Sequence, residues 1–258
     1  MKKLNFIIKY GLALLLLSFY SCESWLNVTP SDRLSEEMLF NDREGFVKAL
    51  NGVYIELNTN ELYGRNLTAG ALDVMGQYYS VASSSHAFYN YGGLVYTGND
   101  EKALFDNMWQ KCYAVIACCN TIIEKCDENK AGLSPVWKGS IKGEALALRA
   151  MLHFDMLRLF GPLTSELDKE SIPYQTNSDQ TVTPLLSGSE VIGLILDDLK
   201  NAVGLLKDTD PYFVEEEFSD TDLNYRRFRM NYFAAKGLMA RVQLWGGDKE
   251  KAAITAKE

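Results

Sequence analysis

The chain has 258 residues, 47% hydrophobic and 23% charged, with six prolines, which gives an ordinary globular chain enough apolar surface to bury a core. Its formal charge is −8 at pH 7. That sign argues against a nucleic-acid partner, whose phosphates call for a basic face.

Residues 1–21 have the layout of an export signal. Lys2, Lys3 and Lys9 form a basic start, and the uncharged stretch from Tyr10 to Ser21 is shorter than the ~20 residues a spanning helix needs. Ser21-Cys22 then places a small residue before a cysteine directly after an apolar run, a loose form of the bacterial lipobox. Cys22 is therefore the expected site of lipidation, with residues 22–258 as the mature helical domain. The alternative is a plain secretory signal with an incidental cysteine; the absence of a small-x-small site ahead of Cys22 favours the lipoprotein. Several acyl chains at ~0.8 kcal/mol per buried CH₂ would anchor such a protein stably.

The first periodic segment runs from Phe46 to Leu57. Phe46, Ala49, Leu50, Val53, Tyr54 and Leu57 form one helical stripe behind a cap at Asn41 or Asp42, and Gly52 reads as a point of close helix contact.

Residues 59–99 break the pattern. Val74 to Asn99 contains no Asp, Glu, Lys or Arg but carries Tyr78, Tyr79, Phe88, Tyr89, Tyr91 and Tyr96. Long aperiodic loops are usually functional or disordered, and the aromatic, uncharged composition argues against disorder. Tyrosine combines a flat apolar face with a hydroxyl, which suits the C–H face and hydroxyl rim of a neutral sugar. Tyr78, Tyr79, Tyr89 and Tyr91, with Gln77 and Asn90 as polar companions, are the candidate substrate-binding residues. The same aromatics have a second possible use, stapling a long loop onto helices.

Asn99 to Cys126 is helical again, with Phe105, Met108, Cys112, Val115, Cys119, Ile122 and Cys126 in one seam. Cysteines seven apart on a helix are roughly 10 Å apart, too far for a disulfide. They also lack acidic or histidine partners at zinc spacing, so Cys112, Cys118, Cys119 and Cys126 read as small core residues, with no disulfide, metal or cofactor expected.

Ser134-Pro135 opens the central helix with a capping serine and a first-turn proline. Within it, Gly143 to Phe160 is apolar nearly all round. Its polar residues fall into two thin seams, Glu144/Asp155/Arg158 and Arg149/His153, so the helix sits in the middle of a stack. Gly161-Pro162 ends it, with glycine expected in a left-handed cap. His153 reads as a structural partner of Arg149 or a core residue.

Residues 163–187 read as irregular. Ser187 to Glu190 is a capping box for a helix over Val191 to Leu206. Lys207 to Asn224 is acidic and reads as a solvated run. Asn231 to Trp245, a turn at Gly246-Gly247-Asp248 and Lys249 to Glu258 give two further helices, with Ala240 and Ala252 at the spacing of a tetratricopeptide hairpin.

Several of these motifs together resemble the SusD/RagB family, surface glycan-binding lipoproteins of Bacteroidetes. Gly143-Glu144-Ala145, Leu148-Arg149-Ala150, His153-Phe154 and Leu159-Phe160-Gly161 match its central helix. Asn51 to Tyr54, Glu190-Val191 with Asp198-Leu199, and Asn231-Tyr232 with Ala240-Arg241 match further helices. Trp25 to Pro30 is similar to the run that follows the lipid cysteine, and Leu72-Asp73 to the acidic position ahead of the aromatic loop. The resemblance implies a mainly α fold of tetratricopeptide-like helical hairpins with a long aromatic insertion. It also implies a fragment covering the N-terminal part of a longer protein. It further implies an outer-membrane lipoprotein, not an enzyme and without catalytic residues, that delivers a neutral oligosaccharide to a SusC-like TonB-dependent transporter. An interaction scaffold without sugar binding is the alternative. A glycoside hydrolase is disfavoured because the aromatic stretch offers no carboxylate between Asp73 and Asp100.

Overall fold

The computed structural model describes residues 36–179, 181–215, 218–219 and 225–258. The export signal, Cys22, the Trp25 to Pro30 run and the acids Glu216, Glu217, Asp220 and Asp222 lie outside the described residues. The chain divides into two units, Met1–Leu39 and Phe40–Glu258. Of the first, a single helical turn, α1 (Glu36–Leu39), is described. The remaining elements belong to the second unit.

Helix α2 (Arg43–Leu57) starts where Asp42 accepts a hydrogen bond from the Gly45 N–H, and it buries Phe46, Leu50, Val53 and Leu57. Short turns α3 (Ala71–Met75) and α4 (Tyr89–Gly92) interrupt the stretch read as loop. Long helices α5 (Asn99–Glu128) and α6 (Pro135–Phe160) follow. Next come strands β1 (Glu170–Pro173) and β2 (Leu185–Ser187), then α7 (Gly188–Thr209), α8 (Tyr232–Trp245) and α9 (Lys249–Thr255). The architecture is mainly α, of consecutive antiparallel-type hairpins in the tetratricopeptide manner.

Helix α6 occupies the centre, packing on α7, α5 and α2 and touching α8, while α7 packs on α8 and α8 on α9. Its buried set runs all round the cylinder, from Trp137 to Leu157. Two glycines allow α7 to come close. A Cβ on Gly143 would lie 2.8 Å from Leu206 Cγ, and one on Gly139 would lie 2.5 Å from Thr209 Cγ2. Ser134 and Ser187 cap α6 and α7 as expected, the latter in a complete capping box with Glu190.

Polar residues inside this stack are cross-linked. Arg149 makes a two-pronged pair with Asp198, 2.7 Å on each side, and donates to Asn120 Oδ1 at 2.8 Å. Tyr174 donates to the same Asp198 at 2.6 Å. Burial first, and the Asp198 carboxylate second, push the Tyr174 phenol well above its ordinary pKa. His153 is sandwiched against Tyr174 and bridges two backbone groups. Its Nε2 accepts from the Gln175 N–H, so Nδ1 carries the proton donated to the Arg149 carbonyl. Burial holds its pKa down to about 3. On the other seam Glu144 receives Arg226, Arg229 and the Tyr54 hydroxyl. Arg226 also grips Asp210 at 2.6 and 3.0 Å.

Several sequence expectations are corrected here. Residues 163–187 contain an antiparallel pair, Glu170 opposite Ser187 and Pro173 opposite Leu185. Short strands without clean alternation carry no period to read. Asp210 is fully buried against Arg226, where the acidic run suggested a solvated carboxylate. Cys112, Cys119 and Cys126 are buried, but Cys118 is exposed, one residue round from the seam. Gly52 faces open space rather than a neighbouring helix, and Gly161 caps α6 in extended geometry, φ −85° and ψ 179°.

Candidate functional site

The uncharged aromatic stretch forms a surface because its backbone reverses at Gln77. Helix α3 ends at Gly76, and Gln77 then takes a left-handed conformation with φ +60°. The chain turns outward, leaving Tyr78 80% and Tyr79 53% exposed. It returns through a turn in which His86 Nδ1 accepts from the Phe88 N–H, and enters α4 with Tyr89 42% exposed.

One ring goes the other way. Tyr91 is 2% exposed and sits edge-on to Phe88 and Phe105, with Tyr96 tilted beside it; Phe105 in turn meets Phe160 at the end of α6. This ladder ties the segment to α5 and α6. Burial, then the carboxylates of Glu101 and Asp100, push the Tyr91 hydroxyl up to about 12. Tyr91 therefore staples the segment to the helices and offers no face to a ligand, which corrects its place among the binding residues.

Between the walls 77–81 and 89–95 lies a cleft of about 400 Å³. Gln77, Tyr79, Tyr89 and Asn90, four of the six residues singled out from sequence, line it together with Ser80 and the Gly92-Gly93 backbone. Tyr78 does not; its ring lies back over Gly76, 3.2 Å from where a Cβ would stand. No charged side chain lines the cleft.

The polar side chains there are held. Gln77 Nε2 donates to the Gly92 carbonyl at 3.0 Å and to the Val74 carbonyl at 3.3 Å, joining the two walls. Asn90 Nδ2 donates at 2.8 Å to Glu101, a buried acid in the first turn of α5. Glu101 was missed from sequence because an acid in a first helical turn already has a use beside the positive end of the helix.

A second cavity, about 220 Å³, is lined by Leu50 of α2, Trp137 of α6, Pro211, Phe218, Tyr225 and the Glu144–Arg226–Arg229 cluster. Its charged groups are paired with one another, and Phe218 and Arg43 pack on Trp137. Among the described residues no group of three His, Cys, Asp or Glu side chains is placed to hold a metal ion, and no helix is long and apolar enough to cross a membrane.

A stack of tetratricopeptide-like hairpins carrying an uncharged, tyrosine-walled cleft is the class that fold and site define. Residues 24–244 match a family model, SusD-like, described as starch-binding and associating with the outer membrane, and the chain belongs to that family. SusD-like protein P2 of Formosa agariphila is 25% identical over 99% of this chain and 45% of its own length. A SusD-like protein of Bacteroides ovatus is 30% identical over 55% of this chain and 23% of its own. Among solved structures, a SusD-like carbohydrate binding protein from Bacteroides vulgatus superposes with a TM-score of 0.67 at 23% identity, covering 84% of this chain and 44% of that one. A laminarin binding SusD-like protein gives a TM-score of 0.61 at 17% identity, over 83% and 42%. The chain spans less than half the length of each of these relatives.

Proposed function

We propose that this chain supplies a glycan-binding surface, with a neutral oligosaccharide lying in the cleft between residues 77–81 and 89–95. The protein is an outer-membrane lipoprotein, acylated at Cys22, that hands its ligand to a SusC-like TonB-dependent transporter. The observation that carries the binding reading is a cleft with two half-exposed tyrosines on facing walls and no charged side chain in its lining. Such walls stack on the C–H face of a sugar ring while hydroxyls and amides meet its rim. The name of the laminarin-binding relative and the family description point to the same ligand class.

Binding fits this cleft better than catalysis. Glycoside hydrolysis takes two carboxyl groups flanking one bond, and the cleft lining has none; of the buried acids, Glu101 stands singly behind Asn90, and Glu144, Asp198 and Asp210 are each bridged to arginine.

The test is retention of the chain on insoluble neutral polysaccharides, with the Tyr79→Ala/Tyr89→Ala double variant beside the wild type. Loss of retention in the folded variant supports the reading, and equal retention removes the cleft from it. Radiolabelled palmitate incorporation, absent in Cys22→Ser, tests the anchor, and co-purification with a TonB-dependent transporter tests the handover.

A further inference from the structure

The two amides of the cleft have fixed orientations, and that fixes which ligands it accepts. An amide's nitrogen and oxygen are told apart by their hydrogen-bond partners. Asn90 faces the Glu101 side chain, and a carboxylate only accepts, so Nδ2 must point at it and Oδ1 is turned away. Gln77 faces two carbonyl oxygens, which also only accept, so its Nε2 points inward as well and Oε1 is left over. Among the described residues neither amide oxygen receives a hydrogen bond. On the 89–95 wall the backbone N–H groups of Gly92, Gly93, Leu94 and Val95 all donate within the turn, to Phe88, Tyr89, Tyr91 and Asn90, whereas on the 77–81 wall those of Tyr79, Ser80 and Val81 make no hydrogen bond among the described residues.

We infer that the two oriented amides are the acceptors of the cleft: Gln77 Oε1 and Asn90 Oδ1 receive hydroxyl donors of the ligand, and the Asn90–Glu101 and Gln77–Gly92 hydrogen bonds bias it toward neutral polyols over uronic or sulfated sugars. Anionic groups bring only acceptors to a place where the oriented side chains offer oxygen, and the Glu101 carboxylate behind Asn90 adds like charge. The tyrosine hydroxyls and Ser80 rotate to suit either role, so they do not discriminate. Glu101 acts through Asn90 and is a positioning residue. This inference rests on the reading of the cleft as a glycan site.

The experiment compares the affinity of the full chain for a neutral glucan, laminarin, with that for an anionic polysaccharide of similar length, alginate. The wild type is expected to favour laminarin by about tenfold or more, the effect of two or more mismatched hydrogen bonds. Glu101→Gln frees the Asn90 amide to turn over, so laminarin affinity is kept and the ratio narrows by about fivefold, near one hydrogen bond's worth. Gln77→Met, which leaves Glu101 untouched and removes the other oxygen together with the Nε2 link between the walls, weakens laminarin by about fivefold and alginate by less, so the ratio narrows. It reads the same inference if the Glu101 variant does not fold. Equal wild-type affinity for the two polymers, or folded variants with the wild-type ratio, overturns the inference. If Tyr79→Ala/Tyr89→Ala abolishes laminarin binding while the ratios stay put, the site stands and only the acceptor assignment falls. If the tyrosine pair changes nothing, the site reading falls and takes the assignment with it.

Discussion

The central helix and the aromatic segment handle polarity in opposite ways. Helix α6 buries Glu144, Arg149 and His153 deep in the stack and satisfies each with partners from other parts of the chain: Tyr54, Arg226 and Arg229 for Glu144, Asn120 and Asp198 for Arg149, and the Gln175 N–H for His153. The segment from Val74 to Asn99 has no Asp, Glu, Lys or Arg, yet it leaves three tyrosines at the surface. Among the described residues the buried charges fasten the central helix to other parts of the chain, and the candidate cleft is lined by uncharged rings and amides. A buried ion tolerates no missing partner, whereas an exposed ring leaves little behind when it is removed.

That contrast can be broken or sharpened by substitution. The largest effect is expected at Arg226, whose removal as Arg226→Ala leaves Glu144 and Asp210 buried with a lost counter-charge. A loss of about 3–5 kcal/mol of stability is expected from urea unfolding, typical of breaking a buried pair by deleting one partner. Replacement that costs less than about 1 kcal/mol would mean that Glu144 and Asp210 reach water without the arginine.

His153 gives the next effect, as a dependence on pH. Its folded pKa lies near 3, below the ordinary 6.5, so the unfolded chain binds the extra proton between those values. Its contribution to stability is present above pH 6.5 and is lost as pH falls toward 3, with a slope of at most about 1.4 kcal/mol per pH unit for one proton. His153→Gln should flatten that part of the stability profile; an unchanged profile would show that the imidazole is not the group that titrates.

In the aromatic segment, Tyr79→Ala with Tyr89→Ala is expected to shift unfolding free energy by only about 0.5 kcal/mol each, as for other exposed positions, while removing glycan retention. A large drop in melting temperature would instead make those rings part of the core. Tyr91→Ala should behave in the opposite sense, costing about 3–5 kcal/mol as a buried aromatic lost to a cavity. The smallest effect is expected at Tyr78, which lies outside the cleft. Tyr78→Ala should leave both stability and glycan affinity near wild type, and a strong loss of binding would move the cleft's edge outward to include it.

Much of the scaffold was legible because it is periodic. Capping residues Asp42, Ser134, Ser187, Asn231 and Asp248 all stand where helices begin, and the apolar faces behind them are buried. The candidate site was legible only as a composition. Four of its six named residues line one cleft, but Tyr91 turned inward and Tyr78 lay back on Gly76, a choice that an aperiodic stretch does not encode locally. The β1–β2 pair and the burial of Asp210 were also hidden, since each depends on a partner far along the chain.

By itself the order of residues determined the helices, their caps, the all-round apolar helix at the centre and the family, because these follow from local periodicity and short-range hydrogen bonding. Which arginine meets which acid, which tyrosine faces solvent, and which way the Gln77 and Asn90 amides point were decided only in three dimensions. Those choices are made by groups that approach one another across tens of residues, and a buried polar atom takes whatever partner the packing delivers.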